Sequence, residues 1–479
     1  MITFNKPKFK LGVAPTRRDS WRNEPTLQNQ QNIMKKMHQF SDKYDFELIV
    51  ADKLPFESKD LVFGTRKTKM EADDFMTDYT DARMIAKYFK EQEIDALFVP
   101  FCNFGQEEAV ARLAYELKLP ILLWGPRDEA PEGLLPRTTD SQCGMFACSK
   151  VMQRYGITFT YIENCRIEDS VFEKEFAQFL KVARVVDSFH NMRIGQISVR
   201  PQQFLSVMVN EGELLEKFGI ELVAITGAQL VNTIKDVMEE NQDEIDELVA
   251  DIEKTLDLSR LKDKKRTVAA VELGIMKLAK KYNFNALACD CWHTVRNAFG
   301  VAPCFVFGDL HDRGLPCACE LDIHAAITSV MATAATGYTQ PSFVADLTIR
   351  HPENDNAELL WHCGPFAKAL KKENFPGYVV ETGQGYYPLK NGTLTVLRFD
   401  GIRGEYSCFV GTGKAIDGPE TNGNYVWLEA DDWIKWEKKF IYGPYIHHVV
   451  GVYGDHAEVF KEACRYIGIK YDTPDTPLF

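Results

Sequence analysis

Two acids and a histidine pair stand where the local pattern of the chain changes. Glu320 closes the short apolar run 315–319, Asp346 closes a second run over 342–345, and His447 and His448 open an apolar run late in the chain. Two carboxylates held side by side repel unless one takes a proton or a cation lies between them, so such a pair offers metal binding or acid/base exchange. The plainer alternative is that each acid caps a helix or faces water. Adjacent residues of a strand point to opposite sides, so only one of the two histidines can enter a given site. A second group lies near the start, where the loop APTRRDSWRNEP carries Arg17, Arg18 and Arg22 with Trp21. Three guanidinium groups suit an anion or a hydroxyl-rich molecule, although arginines are also ordinary in surface loops. The cysteine pairs Cys289/Cys291 and Cys317/Cys319 lie in apolar runs and lack CxxC ligand spacing, so we read them as buried, reduced thiols.

The elements that position these residues follow from periodicity. After 315–319, Asp322 can cap a helix whose Ile323, Ile327, Val330, Met331 and Ala334 recur at helical spacing until Gly337. With 342–345 as the next strand, the pattern predicts a right-handed crossover between parallel strands. Glu320 and Asp346 would then sit at carboxyl ends, roughly one strand spacing of 5 Å apart. Upstream, strands such as KFKLGVA, FELIVAD, DALFVPF and ILLWGP alternate with helices, which predicts a doubly wound parallel sheet over 1–163. The arginine loop follows the first strand of this sheet. The loop Cys102-Asn103-Phe104-Gly105-Gln106 follows another and reads as a helix cap. A second such domain is predicted over 164–342, carrying Glu320, with the acidic segment 234–261 as one exposed amphipathic helix. Beyond it, LLWHCG, GYVVETG, GTLTVLRF, YSCFVGTG and NYVWLEA alternate like antiparallel strands, predicting a β-barrel domain over 343–479 that carries Asp346 and His448. The fold class is therefore α/β: two doubly wound, Rossmann-like domains followed by a C-terminal antiparallel barrel.

Composition narrows the function. A formal charge of −13 over 479 residues argues against a dominant role on nucleic acid or an anionic membrane, which would need a basic face, and still allows a local basic patch. No strand is followed by a GxGxxG or P-loop sequence, so no nucleotide cofactor is expected. The first residues lack a signal-peptide pattern and no run reaches the ~20 apolar residues of a membrane span, which points to the cytoplasm.

Glu320 in CELD, Asp346 in FVAD and His448 in YIHHVVGVYGDH, followed by VFKEACRYIGI, resemble the metal ligands and flanking segments of the L-fucose isomerase and L-arabinose isomerase superfamily. His362 in LLWHCG is similar to a further histidine that arabinose isomerases place near the metal. The resemblance implies a cytosolic, hexameric aldose–ketose isomerase with Mn²⁺ or another divalent cation, two α/β domains and a C-terminal barrel. It gives Glu320 and Asp346 both ligand and acid/base roles, with transfer through a cis-enediol, and His448, with His362, as further ligands. The sugar-contact candidates are Arg17, Arg18, Trp21, Asn103, Asp290 and Trp292. In the family layout the arginine loop reaches the metal only from a neighbouring subunit. The chain departs from fucose isomerases in reading Gly12-Val13-Ala14 where they have an arginine, and in a shorter C-terminal part. The sugar, neutral or anionic (phosphorylated or sulfonated), is thus left open. So are two other functions on the same residues: a sugar-binding regulator without catalysis, and a metal-dependent hydrolase.

Overall fold

The computed structural model describes residues 4, 8–18, 23–51, 59–60, 67–68, 76–131, 133–134 and 137–478. The chain forms two compact units, one of residues 6–184 and one of 1–5 with 185–479.

The first unit runs β1 (Phe9–Val13), α1 (Asn23–Tyr44), β2 (Phe46–Val50), the short pair β3 (Lys59–Asp60) and β4 (Lys67–Thr68), α2 (Tyr79–Gln92), β5 (Ala96–Pro100), α3 (Glu107–Leu117), β6 (Ile121–Trp124), α4 (Ser141–Arg154), β7 (Thr160–Tyr161) and α5 (Ser170–Phe189). Its main sheet is wholly parallel with order β2-β1-β5-β6-β7. Strand order reverses between β1 and β5, and in open α/β sheets that reversal opens the ligand crevice at the carboxyl ends. The loops after β1 and β5, carrying Arg17, Arg18 and Asn103, flank it. Helices cover both faces because strands such as ALFVP are buried throughout. On one side α5 packs Phe172, Phe176 and Phe179 against Phe98 and Trp124.

The second unit begins with β8 (Arg193–Ile197), α6 (Glu211–Phe218), β9 (Glu221–Ile225), α7 (Gly227–Glu240), α8 (Gln242–Ile252), α9 (Lys265–Tyr282), β10 (Ala286–Cys289), α10 (Thr294–Phe299), α11 (Cys304–Asp312), β11 (Cys317–Ala318) and α12 (Ile323–Ala335). Its parallel sheet has order β11-β10-β8-β9. The acidic segment 234–261 is two helices rather than one, because the chain leaves helical geometry at Asn241. Nor is it simply solvated: Ile234, Val237, Ile245, Leu248 and Ile252 are buried in the core while the acids between them face outward.

The unit continues with β12 (Phe343–His351), β13 (Asn354–His362), β14 (Tyr378–Val379), β15 (Gly385–Pro388), β16 (Gly392–Ile402), β17 (Glu405–Ile416), β18 (Asn424–Glu429), α13 (Trp433–Tyr442), β19 (His448–Tyr453), α14 (Ala457–Ile467) and β20 (Lys470–Asp472). Strands β18-β13-β12-β19-β16-β17 pair in that order, every neighbour antiparallel, and β17 pairs back onto β18. The result is a closed six-stranded barrel. Here the crossover expected around α12 is corrected. β12 does not join the sheet of β11 but opens the barrel, and Asp346 lies within β12 rather than at its end. An apolar run of four residues cannot say which sheet it will enter. α12 is buried on nearly all sides and packs against β10 of the parallel sheet and β16 and β19 of the barrel. Its alanines and small hydroxyl residues allow that close approach. No helix among the described residues is long and apolar enough to cross a membrane.

Candidate active site

Glu320 stands where β11 turns into α12. Glu320 and Leu321 both take left-handed backbone, at φ +58° and +61°, a conformation that costs a bulky residue and persists only where neighbours fix it. Here the Leu321 amide donates to the Cys289 carbonyl at 3.3 Å and the Asp322 amide to the Cys319 carbonyl at 3.1 Å. The indole of Trp292, just after β10, donates to Glu320 Oε1 at 3.0 Å. Asp346 arrives from the barrel, directly opposite His448 in the β12/β19 register. Directly opposed residues of antiparallel strands project to the same face, so these two side chains must meet.

They meet Glu320 as well. His448 Nε2 lies 3.2 Å from Glu320 Oε2 and 3.3 Å from Asp346 Oδ1, and His362 Nε2 lies 3.8 Å from that same Oδ1. The expectation that the two acids share a site thus agrees with the structure, by a different route from the parallel crossover. Asp346 Oδ1, His362 Nε2 and His448 Nε2 are buried and make no hydrogen bond. Buried polar atoms without partners are costly, and three of them converging on one point fit a bound cation. Two carboxylate oxygens and two imidazole nitrogens suit Mn²⁺ or a similar divalent ion. The imidazoles are 2% and 1% exposed and the carboxylates of Glu320 and Asp346 are 13% and 19% exposed, so the acids face the opening and the histidines form the floor.

Electrostatics agree. Burial pushes His362 and His448 down, but Asp346, Cys363 and Glu320 around the first, and Asp322, Glu320 and Asp346 around the second, raise them to about 10 and about 9. Burial pushes Glu320 up, and the contact with His448 and the charges of both histidines bring it below the ordinary carboxylate range. His447 is exposed and precedes β19, and strand alternation does not carry it away from the site: its ring lies 4.5 Å from that of His448, and ligand atoms of His447, His448 and Asp346 lie within 4.8 Å of one another.

Sequence reasoning missed several neighbours. Phe204 stacks on His448 at 5.7 Å between ring centres and meets Trp292 edge-on at 5.8 Å, making an aromatic wall beside the acids. Asp322, read only as a helix cap, also receives His448 Nδ1 at 2.8 Å and Arg398 at 2.6 Å. An arginine amid the apolar alternation of TLTVLRFD was the signal available for Arg398. Behind the site, Cys291 and Cys319 lie 3.1 Å apart at sulfur and Cys304 and Cys363 lie 3.2 Å apart, all as free thiols.

The remaining candidates divide. Asp290 turns its carboxylate onto its own chain, accepting from the amides of Trp292, His293 and Thr294 and from the Thr294 hydroxyl, which shapes the turn that presents Trp292. In the first unit Asn103 is buried and braces the arginine loop, accepting from the Arg18 amide at 2.8 Å and donating to the Arg18 carbonyl at 3.0 Å. Gly144 lets α4 press on this brace, since a Cβ there would lie 1.7 Å from the Phe104 carbonyl oxygen. The Arg18 guanidinium sits 4.2 Å above the Phe104 ring and Arg17 is buried. Trp21 and Arg22 lie outside the described residues.

The N-terminal domain family of fucose and sulfoquinovose isomerases matches residues 12–190. Over 442 residues the chain is 24% identical to the sulfoquinovose isomerase of Priestia aryabhattai, covering 89% of this chain and 96% of that relative. Over 339 residues it is 25% identical to the sulfoquinovose isomerase of Alkalicoccus urumqiensis, covering 69% and 75%. The chain is thus similar to the fucose isomerase-like sugar isomerases, through its N-terminal domain to the family and over most of its length to these relatives.

Proposed function

We propose that this chain is a divalent-metal-dependent aldose–ketose isomerase acting on a sugar that carries an anionic group, of the sulfonated kind named for its relatives. The observation that carries the reading is the convergence of Glu320 Oε2 and Asp346 Oδ1 on His448 Nε2 at 3.2 and 3.3 Å. Glu320, Asp346 and His448, with His362, would hold the cation. When bound, that ion supplies Lewis-acid support for the oxygen charge that develops at the carbonyl.

The proton is moved by the chain's own acids. One carboxylate takes the proton from C2 of the aldose as O1 takes one up, and the resulting cis-enediol is reprotonated at C1 as O2 gives its proton up. Trp292 holds Oε1 of Glu320, which leaves Oε2 to face the site. The wall of Phe204 and Trp292 gives the sugar an apolar surface and keeps water from the enediol. For the anionic group, Arg18 of a neighbouring copy of the chain is suited by its held backbone and its ring-stacked guanidinium, since the family layout brings that loop to the site only from another subunit.

The test is to incubate EDTA-treated protein, with and without Mn²⁺, with sulfoquinovose and with glucose in D₂O. Mn²⁺-dependent ketose carrying solvent deuterium supports the reading. Full turnover by metal-free protein, or a product shorter than the substrate, overturns it. Arg18→Ala should raise KM for the sulfonated sugar by about 10- to 100-fold, the worth of one charge-assisted bond, with little change on a neutral sugar.

A further inference from the structure

Asp322 is the most heavily engaged buried acid beside the site. Its Oδ1 accepts from the Ala325 amide at 2.9 Å, capping α12. Its Oδ2 faces two nitrogens at once, Arg398 Nη1 at 2.6 Å and His448 Nδ1 at 2.8 Å. Arg398 is fully buried on β16, and its Nε donates to Asp400 Oδ2 at 2.8 Å. Asp400 in turn meets His324 Nδ1 and the Gly401 amide through Oδ1, at 2.9 and 2.8 Å. A guanidinium sealed between two carboxylates keeps both in place, and an ionised carboxylate can only accept. In its neutral form His448 must therefore carry its one hydrogen on Nδ1, which leaves Nε2, 3.2 and 3.3 Å from the two acids, as the nitrogen free to ligate.

We propose that Asp322, held by Arg398, is the positioning residue of this site: it fixes the ring orientation and tautomer of His448 so that Nε2 can bind the cation. The proposal rests on reading Glu320, Asp346 and His448 as a divalent-cation site. It gives Asp322 a role separable from capping, because asparagine and serine cap helices about as well as aspartate. In Asp322→Asn, an amide that keeps its oxygen on Ala325 turns its NH₂ group toward His448 Nδ1. That nitrogen must then accept, the ring hydrogen moves to Nε2, and the ligand is lost. In Asp322→Ser the cap survives and the partner of Nδ1 disappears.

The experiment is Mn²⁺ binding to the full-length, EDTA-treated protein, followed by the electron paramagnetic resonance of the free ion, for wild type, Asp322→Asn, Asp322→Ser and Asp400→Asn. Loss of a second-layer partner of a metal-bound histidine typically costs 10- to 100-fold in affinity. Both Asp322 variants should show a loss of about that size while the metal-free proteins melt as folded chains. Asp400→Asn, which touches the same guanidinium but not His448, should stay near wild type. Asp322 variants that bind Mn²⁺ like wild type would overturn the proposal. So would Asp400→Asn losing as much as Asp322→Asn, since the effect would then be structural. If wild type itself binds no Mn²⁺, it is the cation-site reading that fails, which separates the two outcomes.

Discussion

Asp346 Oδ1 sits between two imidazoles that its own charge helps to protonate, so any cation entering there competes with protons. His448 at about 9 and His362 at about 10 both stand above the ordinary histidine value, and both must be neutral to ligate. Apparent Mn²⁺ affinity should therefore climb between pH 6 and 9, by about tenfold per unit for each proton released. Titration calorimetry in buffers of different ionisation enthalpy counts those protons. A flat profile would mean that the histidines are not ligands. Without metal the sign reverses. A raised histidine stabilises the fold fully below its unfolded pKa near 6.5, and that contribution is lost as pH rises through 9 to 10. Metal-free protein should thus melt lower at pH 10 than at pH 6.5. At this scale the strand ends marked Glu320 and Asp346 as a pair and the family resemblance, not spacing, added His448; the structure brings the three side chains together. Asp322 was not legible as their neighbour, because its second use depends on an arginine 76 residues away and on a barrel whose register no local pattern encodes.

Among the elements, the β12/β19 pair positions the site most directly. Three residues from the Asp346/His448 pair, Phe343 lies opposite Gly451, and a Cβ on that glycine would sit 2.1 Å from the Phe343 ring. Gly451→Ala should therefore push the strands apart at a cost of about 1–3 kcal/mol, the usual range for overpacking. It should also weaken Mn²⁺ binding, although residue 451 touches no ligand. A thermal melt with a metal titration checks both, and a variant with unchanged Mn²⁺ affinity would show that the pair tolerates the spread. Helices and strands were legible wherever apolar periodicity was long, as in α9 or the β16/β17 hairpin. What local pattern could not supply was membership. The run at 342–345 reads alike for a parallel crossover and for the first barrel strand, and the break at Asn241 leaves no mark in a segment whose apolar spacing continues across it.

At the scale of the molecule, every proposed ligand belongs to the unit of residues 185–479. Saturating Mn²⁺ at about 100 times its Kd should stabilise that unit by about 2.7 kcal/mol, and EDTA should reverse the gain. Hydrogen exchange resolved by peptide checks this, with slower opening expected in 185–479 and none in 6–184; protection gained equally in both would contradict it. The barrel's strand order sets a further condition. β19 is among the last strands to be made, yet it lies between β12 and β16, so the chain must leave that place open until about a hundred later residues have emerged. Long-range pairings of this kind close late and slowly. During synthesis the nascent chain therefore holds three of the four proposed ligands with no completed floor beneath them. His448 arrives on the same strand that closes the barrel, so a cation held by the proposed ligands would act only as a latch on the finished fold, slowing unfolding and leaving the rate of folding nearly untouched.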